Sequence, residues 1–258
     1  MSLIRFWLCL ATLLSLLLAA CTTAPITGRR QLVLVSDGQA AQMGINAYQQ
    51  IKTETKVSRD RRSADIVRQI GQRIAAVSGQ PNLPWEFTLF QDDNPNAFAL
   101  PGGKVGVNTG LFKVVEDEHQ LAAVMAHEVA HVLARHSAER VSQQVLVQAG
   151  LVGAQAMAGK ESQQWMGLAA AAATLGIILP YSRTQESEAD EIGLTYMARA
   201  GYDPRAAVDV WRNFNALGGQ RPPEFLSTHP APASRIQRIQ AKLQGPLQIY
   251  LNNPNKVQ

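Results

Sequence analysis

Residues 121–136, LAAVMAHEVAHVLARH, constrain this chain more than any other stretch, because they set His127-Glu128-Val129-Ala130-His131 inside an apolar run with helical spacing. Two histidines four apart on a helix lie one above the other, so both imidazoles can reach a single cation, with Glu128 facing the same open side. Leu121, Val124, Met125, Val129, Val132 and Leu133 supply the apolar cover of a buried helix. Five residues in this pattern also arise by chance, so the flanking context carries the reading as much as the pattern does.

The chain opens with one positive residue, Arg5, then an almost wholly apolar run over residues 6–20, then Cys21. This reads as a signal peptide, being shorter than the roughly 20 apolar residues of a membrane span. Leu18-Ala19-Ala20-Cys21 resembles the lipobox of bacterial lipoproteins, which implies cleavage before Cys21 and its lipidation. Thr22, where an aspartate would signal retention, implies sorting to the outer membrane by the same resemblance. The alternative is an ordinary secretory signal with an incidental cysteine. Cys9 would leave with the signal, so neither of the two cysteines remains for a disulfide, and stability must come from a core. Loss of Arg5 leaves 23 basic against 20 acidic residues, a balance too mild to call for nucleic acid.

The remainder is read as a lipid-anchored tether over residues 21–35, one domain over 36–245 and a C-terminal tail over 246–258, since no linker divides two cores. Ser36 and Gln39 form a possible capping box, followed by a helix with Met43, Ala47 and Ile51 on one face. A second helix over residues 63–77 turns Ile66, Val67, Ile70 and Ile74 inward. Pro81 and Pro84 end it, and residues 85–90, WEFTLF, alternate like a strand. Asn96, Ala97, Phe98 and Ala99 open two short strands around Pro101-Gly102-Gly103, which predicts a small antiparallel sheet just before the HEVAH helix. Its edge could bind an extended peptide by main-chain hydrogen bonds, or the hairpin could be purely structural. Residues 109–115 read as a short helix, and residues 116–118 place negative charge at the start of the HEVAH helix.

Residues 165–179 carry no charge and could be taken for a membrane span, but fifteen residues suit a buried or site-covering helix better. Beyond them, residues 181–190, YSRTQESEAD, open a further helix. A hydrolytic zinc takes three protein ligands and leaves a fourth position open. Glu186 can be the third, with Asp190 one turn along the same face to accept a proton from a ligating histidine. Glu188, two residues on, points elsewhere. Without the upstream histidines these acids would be an ordinary solvated helix start. Asp203 and Pro204 read as the N-cap and first residue of another helix. Ser227-Thr228-His229-Pro230 follows a glycine- and proline-bearing loop, and a last helix carries Arg235, with Ile236 and Ile239 inward.

Taken in order, NAFALPGG, HEVAH, SRTQESEAD and STHP resemble the CAAX prenyl-protease-like gluzincin metallopeptidases, in particular their periplasmic lipoprotein members of the BepA and LoiP type, over residues 39–243. The chain departs from them in two ways: it carries no stretch for a tetratricopeptide array like that of BepA, and it lacks the several membrane spans of the prenyl proteases. The resemblance implies an α+β, mainly helical zincin-like domain with one Zn2+ on His127, His131 and Glu186. Glu128 would be the general base for a zinc-activated water, Asp190 and Arg235 would support the ligands, and His229 would steady the oxyanion or plug the open metal position. Read alone, His229 is more simply a loop histidine capping backbone. The implied activity is endoproteolysis of misfolded or unassembled envelope proteins at the periplasmic face of the outer membrane, with outer-membrane assembly machinery as a possible partner. A zinc-containing periplasmic chaperone or adaptor with little proteolysis is the alternative.

Overall fold

A computed structural model describes residues 21–157, 181–217, 224–229 and 234–257. The signal-peptide reading of residues 1–20 and the helix expected over residues 165–179 lie outside them. Among the described residues, no helix is long and apolar enough to cross a membrane.

The element at the centre is α3 (Glu118–Leu133), the HEVAH helix, which buries nearly every side chain from Gln120 to His131. A helix apolar on all sides must be surrounded, and the other elements do this. α2 (Arg61–Val77), α5 (Arg183–Arg199), α6 (Ala206–Ala216) and strand β4 (Ala97–Leu100) all pack against it. Asp117 caps α3, its carboxylate accepting from the Gln120 amide at 2.7 Å, and Glu118 adds negative charge to the first turn.

The chain ahead of α3 follows the sequence closely. The capping box on Ser36 and Gln39 forms, and α1 (Asp37–Glu54) buries Ala40, Gly44 and Tyr48, a face rotated by one residue from the expected one. The larger Tyr48 sets this rotation by packing edge-on to Phe90 and donating its hydroxyl to Thr88 at 2.6 Å. α2 buries Val67, Ile70 and Ile74, and Ile66 packs at the margin.

The expected antiparallel pair before α3 forms, as part of a larger sheet. β4 and β5 (Lys104–Asn108) form the antiparallel hairpin, but β3 (Glu86–Phe90) pairs in parallel with β5, giving the order β3-β5-β4 and a mixed sheet. A parallel pair needs a crossover of about a dozen residues, and residues 91–103, which include β4 itself, provide it. A 3-10 turn (Thr109–Lys113) then leads to α3.

α3 also ends earlier than the apolar run suggests. Ala134 caps it, Arg135 adopts the left-handed region at φ 56°, and His136 begins α4 (His136–Met157). Neither glycine nor proline marks this stop. The turn, which costs an L-residue about 1–2 kcal/mol, is held by the N-terminal arm and the start of α1. Gln31 donates to the Ala134 carbonyl at 2.7 Å, and Arg135 pairs with Asp37 at 2.6 Å. The arm read as a tether is thus folded onto the domain: β1 (Cys21–Thr23) and β2 (Arg30–Leu32) pair antiparallel, and Ala24 joins the main core.

The C-terminal half closes around α5. α6 starts at Ala206 rather than Pro204, because Asp203 is engaged by the Arg205 amide and guanidinium and caps a turn instead of the helix. α7 (Glu224–Thr228) and α8 (Arg235–Lys242) follow, and α9 (Gln244–Leu251), in the segment read as a tail, packs on α5.

Gly193 lets α5 approach α3: a Cβ there would lie 3.1 Å from the His127 amide nitrogen and 3.2 Å from the Ala126 carbonyl carbon. Gly193→Val should force the two helices apart, destabilising the protein by about 1–3 kcal/mol. Urea unfolding with a parallel zinc titration checks this, with weaker zinc binding expected because Glu186 rides on α5.

Candidate metal centre

His127 and His131 project from consecutive turns of α3, and Glu186 from the first turn of α5. That helix start is fixed by a reciprocal cap in which Ser182 and Gln185 each accept from the other's backbone amide at 3.2 Å. His229 follows α7 directly and completes a buried group of four whose ligating atoms all lie within 4.8 Å of one another. His127 Nε2 is 3.0 Å from His131 Nε2 and 3.3 Å from His229 Nδ1. Glu186 Oε1 is 3.0 Å from His229 Nδ1 and 3.4 Å from His131 Nε2, and Glu186 Oε2 is 3.5 Å from His127 Nε2.

The other side of each imidazole explains why these atoms face one another. His127 Nδ1 lies 3.1 Å from Asp190 Oδ1, so its proton belongs on Nδ1 and Nε2 is a bare acceptor. His131 Nδ1 lies 2.8 Å from His136 Nδ1, and His136 Nε2 donates to Glu188 Oε2 at 2.9 Å. That leaves His136 Nδ1 to accept, His131 Nδ1 to donate and His131 Nε2 unprotonated. Two nitrogen lone pairs and a carboxylate therefore converge on one point. A tetrahedral ion with Zn–N bonds of about 2.0–2.1 Å would separate its nitrogens by about 3.3 Å, close to the spacings found. The residues fit one zinc ion.

Electrostatics point the same way. Burial drives His131 well below its ordinary pKa and keeps it neutral. Burial opposes a charge on His127 too, but Glu186 and Asp190 outweigh it and raise that group to about 9, so the carboxylates demand a cation at this spot. Glu186 is held well below the usual carboxylate range: burial opposes its ionisation, and His229 and His127 overcome the penalty. Arg235 locks the arrangement. It forks onto Asp190 at 3.0 and 2.7 Å, donates to Glu186 Oε2 at 2.6 Å, and lies 3.7 Å over the Trp211 ring.

Glu128 is fully buried and, among the described residues, neither carboxylate oxygen has a hydrogen-bond partner, although His229 Nε2 is 3.3 Å from Oε1. Burial pushes its pKa up, with His229 and His127 pulling it back. Such a group is costly unless it has work at the site. Aromatic rings fix the remaining members: Tyr181 stacks on His131 at 3.6 Å, with the Arg140 guanidinium 3.7 Å over Tyr181, and Phe225 stacks on His229 at 4.5 Å.

The structure thus brings together His127, Glu128, His131, Glu186, Asp190, His229 and Arg235. Asn96, Ala97, Phe98 and Ala99 lie at and along β4, the edge strand packed beside α3; Asn96, Ala97 and Ala99 are buried and Phe98 is half-buried. Cys21 begins β1. Sequence reasoning missed His136, Glu188, Glu139 and Arg29. On one continuous helix His136 would sit about 140° around from His131, and only the left-handed Arg135 brings the rings together. Glu188 does point away from the metal ligands, but into this buried network rather than to solvent.

The model of peptidase family M48 matches residues 61–243, which take in every one of the seven residues gathered at the centre. The chain belongs to peptidase family M48. Within the curated relatives, the mitochondrial metalloendopeptidase OMA1 of Schizosaccharomyces pombe is 38% identical over 221 residues, 84% of this chain and 64% of that protein. The beta-barrel assembly-enhancing protease of Escherichia coli K12 is 33% identical over 224 residues, 83% of this chain and 46% of that protein. The M48 chain therefore spans about half to just under two thirds of the length of these relatives.

Proposed function

We propose that this M48 chain is a zinc endopeptidase that cleaves misfolded or unassembled envelope proteins, held by lipid on Cys21 at the periplasmic face of the outer membrane. The observation that carries the catalytic part is the buried carboxylate of Glu128, without a hydrogen-bond partner among the described residues, beside the convergence of His127, His131 and Glu186. Those three residues would hold the zinc, which when bound polarises the scissile carbonyl and favours deprotonation of water. Glu128 takes the water proton and returns it to the leaving nitrogen, a task suited to a carboxylate whose pKa is raised by burial. Asp190 and Arg235 hold His127 and Glu186 in place. In β4, antiparallel alternation directs the backbone groups of Ala97 and Ala99 away from β5, the side on which an extended substrate would add once these buried residues are uncovered.

The envelope setting is supported by the lipobox-like residues 18–21 and by the E. coli relative, named for enhancing β-barrel assembly. The partners proposed are unfolded envelope polypeptides and outer-membrane assembly machinery. A second reading, a zinc-containing chaperone or adaptor, is favoured by His229, whose Nδ1 sits among the ligand atoms and so fills the position a substrate would need. Cleavage of unfolded casein, followed by gel with zinc content measured in parallel, separates the two. Proteolysis by wild type, increased in His229→Ala and abolished by chelation, is expected. Zinc-loaded wild type and His229→Ala that both leave casein and a denatured outer-membrane protein intact would favour the chaperone.

A further inference from the structure

We propose that Arg29, on the N-terminal arm, is a positioning residue for the metal ligand His131, acting through Glu188 and His136. The inference rests on the zinc-ligand reading above and extends the centre to a segment outside residues 61–243, the part matched by the family.

The contacts form a continuous path. Arg29 Nε donates to Glu188 Oε2 at 2.6 Å, the same oxygen that accepts from His136 Nε2 at 2.9 Å, and His136 Nδ1 meets His131 Nδ1 at 2.8 Å. The far side of the guanidinium forks onto Glu139, with Nη1 and Nη2 each 2.8 Å from a carboxylate oxygen, and Glu139 also accepts from Gln185 Nε2 at 2.7 Å. Thr27 donates its hydroxyl to the other oxygen of Glu188. Glu188 is therefore gripped from the arm on one side and by His136 on the other.

The path matters because its geometry sets which nitrogen of the ligand faces the metal position. With both Glu188 oxygens accepting from the arm, Oε2 from Arg29 and Oε1 from Thr27, the proton of the Glu188–His136 contact lies on His136 Nε2, and His136 Nδ1 accepts from His131 Nδ1. The two histidine ligands are thus served by similar devices: Asp190 and Arg235 stand behind His127, and His136, Glu188 and Arg29 stand behind His131. Arg235 comes from α8, whereas Arg29 comes from the strand-bearing arm that starts at Cys21. The segment proposed to carry the lipid is then also part of the support of the metal site.

The test compares zinc affinity, by competition with a chromophoric chelator, and the visible absorption of the Co2+-loaded full mature chain. The variants are Arg29→Ala, Arg29→Lys, His136→Phe, the Arg29→Ala/His136→Phe double variant, and, as a control, Arg73→Ala, since Arg73 donates to the Ala200 and Asn255 carbonyls and lies over the Tyr202 ring. Removing a group behind a metal ligand typically weakens metal binding about 10–100-fold. Arg29→Ala and His136→Phe should each weaken zinc by about 10-fold and shift the cobalt bands. Arg29→Lys should lie closer to wild type, and the double variant should lose no more than His136→Phe alone, because both act on one path. Arg73→Ala should lower the unfolding temperature with neither effect. Wild-type zinc affinity and cobalt bands in Arg29→Ala would overturn the proposal. So would additive losses in the double variant, or an Arg73→Ala effect equal to that of Arg29→Ala. Unchanged affinity in His131→Ala would overturn the ligand reading together with it. Absent casein cleavage with the Arg29 effects intact would sink the protease reading alone.

Discussion

Glu128→Gln should lower casein turnover by ~10^3-fold, within the range that a positioned general base contributes, while the protein still binds one zinc per chain. Glutamine keeps the size and shape of the side chain but cannot take a proton from water. His127, His131 and Glu186 hold their places by contacts that do not involve Glu128: Asp190, His136 and Arg235 secure them. Stability gives a second readout. The Glu128 carboxylate is buried with no hydrogen-bond partner among the described residues, so a neutral amide removes a desolvation cost and the unfolding temperature should stay level or rise. Peptide-bond cleavage, zinc content and a thermal melt on one preparation check all three. Retained cleavage would remove Glu128 from the chemistry. Lost zinc would mean that it belongs to the ligand set.

Arg235→Ala should be the most destabilising single change at the centre, at about 3–5 kcal/mol, the usual cost of removing one partner from a buried ion pair. Its guanidinium is 1% exposed and faces two buried carboxylates, so truncation leaves Asp190 without its main neutralising partner and takes one cation from Glu186. Arg235→Met, which keeps an unbranched stem over Trp211, should recover little, because the charge is what is lost. Asp190→Asn combined with Arg235→Ala should recover part of the loss, since it removes one of the stranded charges. Urea unfolding of the chelator-treated proteins measures each term. A loss near 1 kcal/mol for Arg235→Ala would show that the carboxylates find other partners or take up protons.

The centre was legible in the sequence where its chemistry is local. The spacing of His127 and His131 follows from helical periodicity, and residues 181–190 read as the opening of a helix with Glu186 and Asp190 one turn apart on one face. The apolar run around HEVAH likewise required a helix enclosed on all sides, and α3 is one. Tertiary structure decided what depends on two distant segments meeting. The stop of α3 at Leu133 has no glycine or proline to announce it and is set by Gln31 from the arm and Asp37 at the start of α1. That stop turns His136 back onto His131, and residues 21–35, which read as polar tether, bring Arg29 to Glu188. The parallel pairing of β3 with β5 depends on where the crossover carries the chain, which alternation within single strands does not encode. Periodicity within an element is a property of neighbouring residues. A hydrogen bond between residues more than a hundred positions apart exists only once the core has brought them together.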